Sequence, residues 1–305
     1  MRVFVAGATG VIGRRAVDEL VRGGHEVTGV ARTDAKASWL TERGATPVAV
    51  DLLDRGAVTT AVADHDAVVN LATHIPTGPE MMFRRAWRQN DRLRKTASQL
   101  LAEAAAQAGA EVFVQESITL LYDDGGDAWL DENAPIKPTV FTRTAIDAED
   151  QARWFAAQSG RGVVLRFASF MAPESAHTAK MVAMVRKGTL PLLGRPEGFE
   201  PLVDADDAAR AVVAALHCPS GTYNIVEDAP ATRAEHAEAL SAALGRPVHL
   251  PPAWVGRLPR LAGLGRSRRP SHGAFSEATG WGPKNGDVRS MWPELLGERQ
   301  PADRV

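Results

Sequence analysis

The chain has 305 residues, 45% of them hydrophobic, and a formal net charge of −2. That is enough for one elaborated domain, or two closely joined parts, with a large core. The near-neutral balance gives no electrostatic reason to expect nucleic acid or an anionic membrane surface as a partner. Cys218 is the only cysteine, so no disulfide framework and no cysteine-based metal site is expected, and no metal-binding residue is singled out. No apolar run is long enough to span a bilayer. The N-terminus enters a strand at once and has no signal-peptide apolar region. A cytoplasmic protein is expected.

Val3 to Ala6 reads as a short buried strand. Gly7, Gly10 and Gly13 follow at three-residue spacing, and Val11, Ile12, Ala16, Val17, Leu20 and Val21 recur with helical period up to Gly23-Gly24. Glycines between a strand and a helix let the backbone turn sharply and approach a pyrophosphate. The free amides and positive dipole of the helix start attract its charge. Gly7, Thr9, Gly10, Val11, Ile12 and Gly13 are therefore candidate dinucleotide-binding residues.

A second strand is expected over 26–31, ending at Arg32. An acid there would meet the ribose hydroxyls of NAD, whereas Arg32 suits a 2′-phosphate and favours NADP(H). A third strand is expected over 46–50. Asp51, next to Leu52, could accept from the adenine amino group, and Asp54 could cap the helix that follows. A fourth strand over 66–71 brings Leu71, Ala72, Thr73 and His74 to its carboxyl end, where ligands gather in open parallel sheets. One long helix is expected over 81–108 and a fifth strand from Val112. Another helix is expected over 141–158, a sixth strand over 162–167, a helix over 205–216 and a late strand over 222–226. The basic stretch 266–269 reads as a solvated loop. Strands alternating with helices imply an α/β fold with a doubly wound parallel sheet. The expected division is a Rossmann part over 1–167 and a smaller substrate-binding part over 168–305, interleaved with it.

With these pieces in place, the chain resembles the extended short-chain dehydrogenase/reductases, in their epimerase/dehydratase-like branch. The resemblance covers nearly the whole length. It rests on Gly7-Ala-Thr-Gly-Val-Ile-Gly13, Asp51-Leu52, Asn70-Leu-Ala-Thr73, Val163-Val-Leu-Arg-Phe167, Val203-Asp-Ala-Asp-Asp-Ala-Ala-Arg210 and Thr279-Gly-Trp-Gly-Pro283. It implies that Leu71, Ala72 and Thr73 approach the nicotinamide side, with Phe167, Ala168 and Phe170 packing near it.

The departures concern the chemistry. The family's acid/base tyrosine belongs to a Tyr-x-x-x-Lys pair. Placing Glu149 on the family's helix glutamate puts Phe141 at the tyrosine and Ala145 at the lysine. The chain has two tyrosines, Tyr122 and Tyr223, and neither has lysine four residues on. The family's catalytic hydroxyl position falls on Ile118, between Ser117 and Thr119. Ser117 is the leading catalytic hydroxyl, and His74 is a candidate proton donor because imidazole titrates near neutrality. His177 is a weaker one.

A substrate phenol beside a ketone would polarise the carbonyl and could supply the proton. The chain also resembles ketoreductases of aromatic polyketides of the angucyclinone type, whose ketones meet that requirement. The expected function is NADPH-dependent reduction of a polycyclic aromatic ketone, a small-molecule partner. The alternative is a catalytically silent NADP-binding redox sensor. Phe167, Phe170, Met171, Met181 and Met184 could line a flat apolar pocket, although Met181 and Met184 also suit an ordinary core.

Overall fold

The computed structural model describes residues 1–76, 78–158 and 160–297. Strand β1 (Arg2–Ala6) leads into helix α1 (Val11–Arg22), then β2 (Glu26–Val30), α2 (Asp34–Thr41), β3 (Thr46–Val48), α3 (Arg55–Val62) and β4 (Ala67–Asn70). The Asp54 carboxylate caps α3 by accepting from the Ala57 N–H at 3.0 Å. β1 ends at Ala6 as expected, whereas β2, β3 and β4 stop one or two residues short of the stretches 26–31, 46–50 and 66–71.

The expected single helix over 81–108 is divided. A 3-10 turn (Gly78–Met82) precedes α4 (Arg84–Arg92), a π turn covers 93–97, and α5 (Ser98–Gln107) completes the run. The wider turn rotates Arg94 into the protein, where its side chain is only 2% exposed. β5 (Val112–Ile118) follows, then β6 (Trp129–Leu130), α6 (Thr144–Gln158) and β7 (Arg161–Phe167).

The rest of the chain returns to this core as well as building beside it. It contains β8 (Ser169–Met171), α7 (Ala176–Val185), β9 (Leu202–Asp204), α8 (Ala205–Ala215), β10 (Gly221–Ile225), α9 (Arg233–Leu244), β11 (Arg269–Pro270), α10 (Gly273–Thr279) and α11 (Val288–Leu296). The main sheet has seven parallel strands in the order β10-β7-β5-β4-β1-β2-β3. β10 forms one edge, and α8 packs on α1. Thus two elements beyond residue 167 complete the Rossmann-type layer. Residues 298–305 of the expected second part lie outside the described residues.

Strands buried on both faces carry continuous apolar runs. Val3 and Val5 face a core shared with α1 and α8, while Phe4 and Ala6 face one shared with α3 and α5. A third cluster, with Met171, Met181, Val185, Leu240, Met291 and Trp292, holds β8, α7, α9 and α11 together. Met181 is thus core, whereas Met184 is exposed. Inside this cluster the Trp292 indole N–H donates to His236 Nδ1 at 3.1 Å, and His236 Nε2 meets the Glu200 carbonyl at 2.9 Å. Burial pushes the His236 pKa down to about 4, so the ring is neutral and its tautomer is set by those two partners. No described helix is long and apolar enough to cross a membrane.

Glu227 follows β10. Its Oε1 accepts from the Leu202 N–H at 2.9 Å, but its Oε2 is buried with no partner. Burial raises its pKa well above the usual carboxyl range. The native state therefore binds more protons than the unfolded chain between the two pKa values, and stability falls as pH rises through that window. Glu227→Gln keeps the acceptor and cannot ionise. Its Tm is expected to exceed that of the wild type by a few degrees at pH 8 and to converge with it near pH 4, as read by calorimetry.

Candidate functional site

The turn between β1 and α1 is a close-packed cradle. Gly7 has φ +82°, and a Cβ on it would lie 2.6 Å from the carbonyl of Leu71 at the end of β4. A Cβ on Gly13 would lie 2.0 Å from the Gly7 oxygen. Neither position can hold a side chain, and Gly10 caps α1 without any side-chain hydrogen bond to the helix amides. Val11 is half-buried and Ile12 is in the core, so what this turn offers a ligand is backbone N–H groups. Those features fit a dinucleotide pyrophosphate. Thr9 contributes its carbonyl to the Arg14 Nε–H at 3.3 Å, and the Arg14 guanidinium lies 4.7 Å from the Trp39 ring.

At the adenosine end, Arg32 is exposed two residues beyond β2. Asp51 is exposed too, although its Oδ1 already accepts from the Leu53 N–H at 3.0 Å. Leu52 is buried in the core beneath.

At the other end, Leu71 is buried and Ala72 donates its N–H to Asn70 Oδ1 at 3.2 Å. Thr73 is half-buried and His74 exposed. The His74 backbone N–H donates to Asn90 Oδ1 at 2.9 Å, which fixes the loop and leaves the imidazole at the surface. Phe167 and Ala168 are in the core, and half-buried Phe170 packs on Phe167 with ring centroids 5.2 Å apart. Phe141 packs on Trp87, ring centroids 5.5 Å apart, and Ala145 is fully buried.

The structure places Ser117 inside the protein. It is fully buried, and its hydroxyl donates to Glu149 Oε1 at 2.7 Å. Side chains alternate along β5, so Ser117 points toward α6 and into the protein, as a neighbour of the family's hydroxyl position must in a strand without a bulge. Glu149 also accepts from Arg166 Nε and Nη2, each at 2.8 Å. Burial opposes its ionisation, but Arg166, Ser117 and Arg153 outweigh that and hold the carboxyl below its usual range.

Both tyrosines are likewise committed. The Tyr122 hydroxyl donates to Asn224 Oδ1 at 2.7 Å and accepts from Arg166 Nη1 at 3.0 Å, and burial pushes its pKa up. Tyr223 donates to the Pro219 carbonyl at 3.2 Å, and its pKa is raised, first by burial. Neither phenol is poised to give a proton in the cleft.

The sequence reading missed a second buried pair. Arg94 Nη2 donates to Glu116 Oε1 and Oε2 at 2.8 and 3.0 Å. Within Arg92-Leu-Arg-Lys95 nothing distinguishes Arg94 from an exposed helix arginine; the π turn does. The stretch 266–269 is also less solvated than expected, for Ser267 and Arg268 are both 1% exposed. Arg268 donates to the carbonyls of Tyr122 and Gly263, and Arg266 to that of Lys137 at 2.5 Å.

Comparison with known proteins gives a consistent picture. The profile of the NAD dependent epimerase/dehydratase family matches residues 3–225. The "3-diazoavenalumate denitrifying reductase" of a Streptomyces species is 32% identical over 97% of this chain and 99% of its own length. The crystal structure of human epimerase family protein SDR39U1 with NADPH is 24% identical, with TM-score 0.76, over 98% of this chain and all of that one. MoeE5 in complex with UDP-glucuronic acid and NAD has TM-score 0.79 at 22% identity, over 97% of this chain and 99% of its own.

Because Ser117 holds Glu149 from within the core, Ser117→Ala is expected to lower stability by about 1 kcal/mol. Dinucleotide affinity should not change. Denaturant unfolding and a binding titration on the same preparation check both.

Proposed function

The chain belongs to the NAD dependent epimerase/dehydratase family, and we propose that it acts there as an NADPH-dependent reductase of an aromatic acceptor, without the tyrosine–lysine pair to complete the reaction. When bound in the cradle, the dinucleotide supplies hydride. The chain's own residues bind and orient: Gly7, Thr9, Gly10, Val11, Ile12 and Gly13 at the pyrophosphate, Arg32 at the 2′-phosphate, and Asp51 and Leu52 at the adenine. Leu71, Ala72, Thr73, Phe167, Ala168 and Phe170 border the nicotinamide end. The relative solved with NADPH supports this cofactor, and NAD in another neighbour leaves Arg32 as the deciding feature.

The observation that carries the reading is the missing proton donor. Phe141 and Ala145 stand where tyrosine and lysine would, both tyrosines are buried, and Ser117 serves Glu149. Sugar epimerisation and dehydration begin by taking a proton from an alcohol, and the tyrosine that would take it is not in place. Reduction needs a proton only when the acceptor becomes an alkoxide. In a polycyclic ketone of the angucyclinone kind, the carbonyl carbon gains hydride and the oxygen takes a proton from the neighbouring phenol or from water. His74 is the one exposed side chain proposed as an auxiliary donor.

A second acceptor is favoured by the denitrifying reductase at 32% identity. An aryl diazonium gains hydride at the ring carbon, the carbon–nitrogen bond breaks, and N₂ departs with its electron pair. The balance closes with no proton at all, so a site without an acid suits it.

The test is NADPH oxidation by the purified protein over hydroxylated aryl ketones and aryl diazo compounds, with 4-deuterated NADPH and mass analysis of the product. Deuterium in a carbinol supports the ketone, and deuterium in an arene with release of N₂ supports the diazo acceptor. Tight NADPH binding with no turnover on either class replaces the reductase with a silent NADP-binding sensor. Arg32→Ala is expected to weaken NADPH binding by about tenfold, roughly 1.4 kcal/mol, and to leave NADH binding unchanged. Parallel titrations with the two cofactors decide it.

A further inference from the structure

Arg94 and Glu116 have no task in the reading above, yet they form a buried ion pair at the carboxyl end of β5. Their side chains are 2% and 6% exposed. Arg94 Nη2 binds both oxygens of Glu116, while its Nε is buried with no hydrogen-bond partner. A buried N–H without an acceptor needs an explanation, and a ligand that supplies one is an explanation with chemical content. A buried ion pair is by itself weak evidence for stability. The π turn that aims Arg94 inward costs regular helix geometry, and such turns concentrate at functional sites.

The position is also specific. α4 touches the segment leading into α6 and its first residue: Trp87 meets Phe141, and Asp91 Oδ1 accepts from the Thr144 hydroxyl at 3.1 Å. The next turn along carries Arg94. After Thr144, α6 offers the fully buried methyls of Ala145 and Ala148. Glu116 lies on β5, the neighbour of β4, and β4 ends at the Leu71 carbonyl against which Gly7 packs.

We propose that Arg94 is a cofactor-binding residue, donating through Nε to a hydroxyl of the nicotinamide-side ribose while Glu116 fixes the guanidinium. The acceptor is a neutral diol oxygen, which suits a donor left over after the carboxylate has engaged Nη2. The proposal rests on the dinucleotide reading of the cradle.

The test compares NADPH with 2′,5′-ADP, which carries the adenosine end and lacks the nicotinamide-side ribose. Arg94→Met alone would strand the Glu116 charge, so the variant is Arg94→Met/Glu116→Gln. Arg94→Lys, which keeps the charge and removes the guanidinium Nε, is the second. Calorimetric titration and Tm are read on all three proteins. Both variants are expected to bind 2′,5′-ADP within about twofold of wild type and NADPH about tenfold more weakly. Unchanged NADPH affinity overturns the proposal. Equal weakening of both ligands, with a lowered Tm, also overturns it by making the pair structural. If the wild-type protein binds neither ligand, the dinucleotide reading itself falls, a result visible before any variant is made.

Discussion

The contact between the Gly7 carbonyl and the backbone of Gly13 sets the rest of the molecule. It lets α1 begin directly above the end of β1, with its free amides at the carboxyl edge of the sheet. The same turn packs Gly7 against the Leu71 carbonyl, so the end of β4 is located by it too. Whatever binds between these backbones meets N–H groups from one side and the loop of Ala72 to His74 from the other. The constraint is steric before it is electrostatic, because a single Cβ at either glycine would separate helix from strand. The helix dipole then acts on a site whose shape is already fixed.

A second feature is how much polarity the protein hides beneath that edge. Glu149, Arg166, Ser117, Tyr122 and Asn224 form one continuous buried chain of hydrogen bonds under β5 and β7. Such networks are stabilising only when every member is satisfied. Here the groups that could have been reagents serve as structure: the hydroxyls of Ser117 and Tyr122 are already spoken for. That these two hydroxyls are engaged is therefore a property of the folded arrangement, beside the residue types at 141 and 145. In the reductase reading proposed above, that favours acceptors that bring their own proton or need none.

The parallel sheet and the tight glycine turn between β1 and α1 were legible in the sequence. Val3 to Ala6 is apolar on both faces, and three glycines at fixed spacing leave few other geometries. The Asp54 cap was also legible, since acid before helix is a local rule. What escaped was set by tertiary context. Ser117 is one residue from the expected hydroxyl position, and strand alternation turned that single step into opposite faces. Arg94 was hidden among basic neighbours because a π turn has no sequence signature comparable to a glycine or a proline. Arg268 looked solvated by composition, yet the carbonyls of Tyr122 and Gly263 receive it. The helix at 81–108 was read as continuous because apolar periodicity cannot register one residue of local overhang.

The route of the chain through the sheet has a consequence for its biosynthesis. The face of α1 that carries Ala16, Val17 and Leu20 is covered by α8, and the sheet edge at β7 is closed by β10. Both partners leave the ribosome long after α1 does. At ordinary elongation rates the wait is on the order of 10–40 s. Throughout it the nascent chain presents an apolar helix face, and in its last part, once β7 has emerged, an unpaired parallel strand as well. Translation of this protein thus includes an obligatory interval in which apolar surface of the early half is made before the native contacts that cover it.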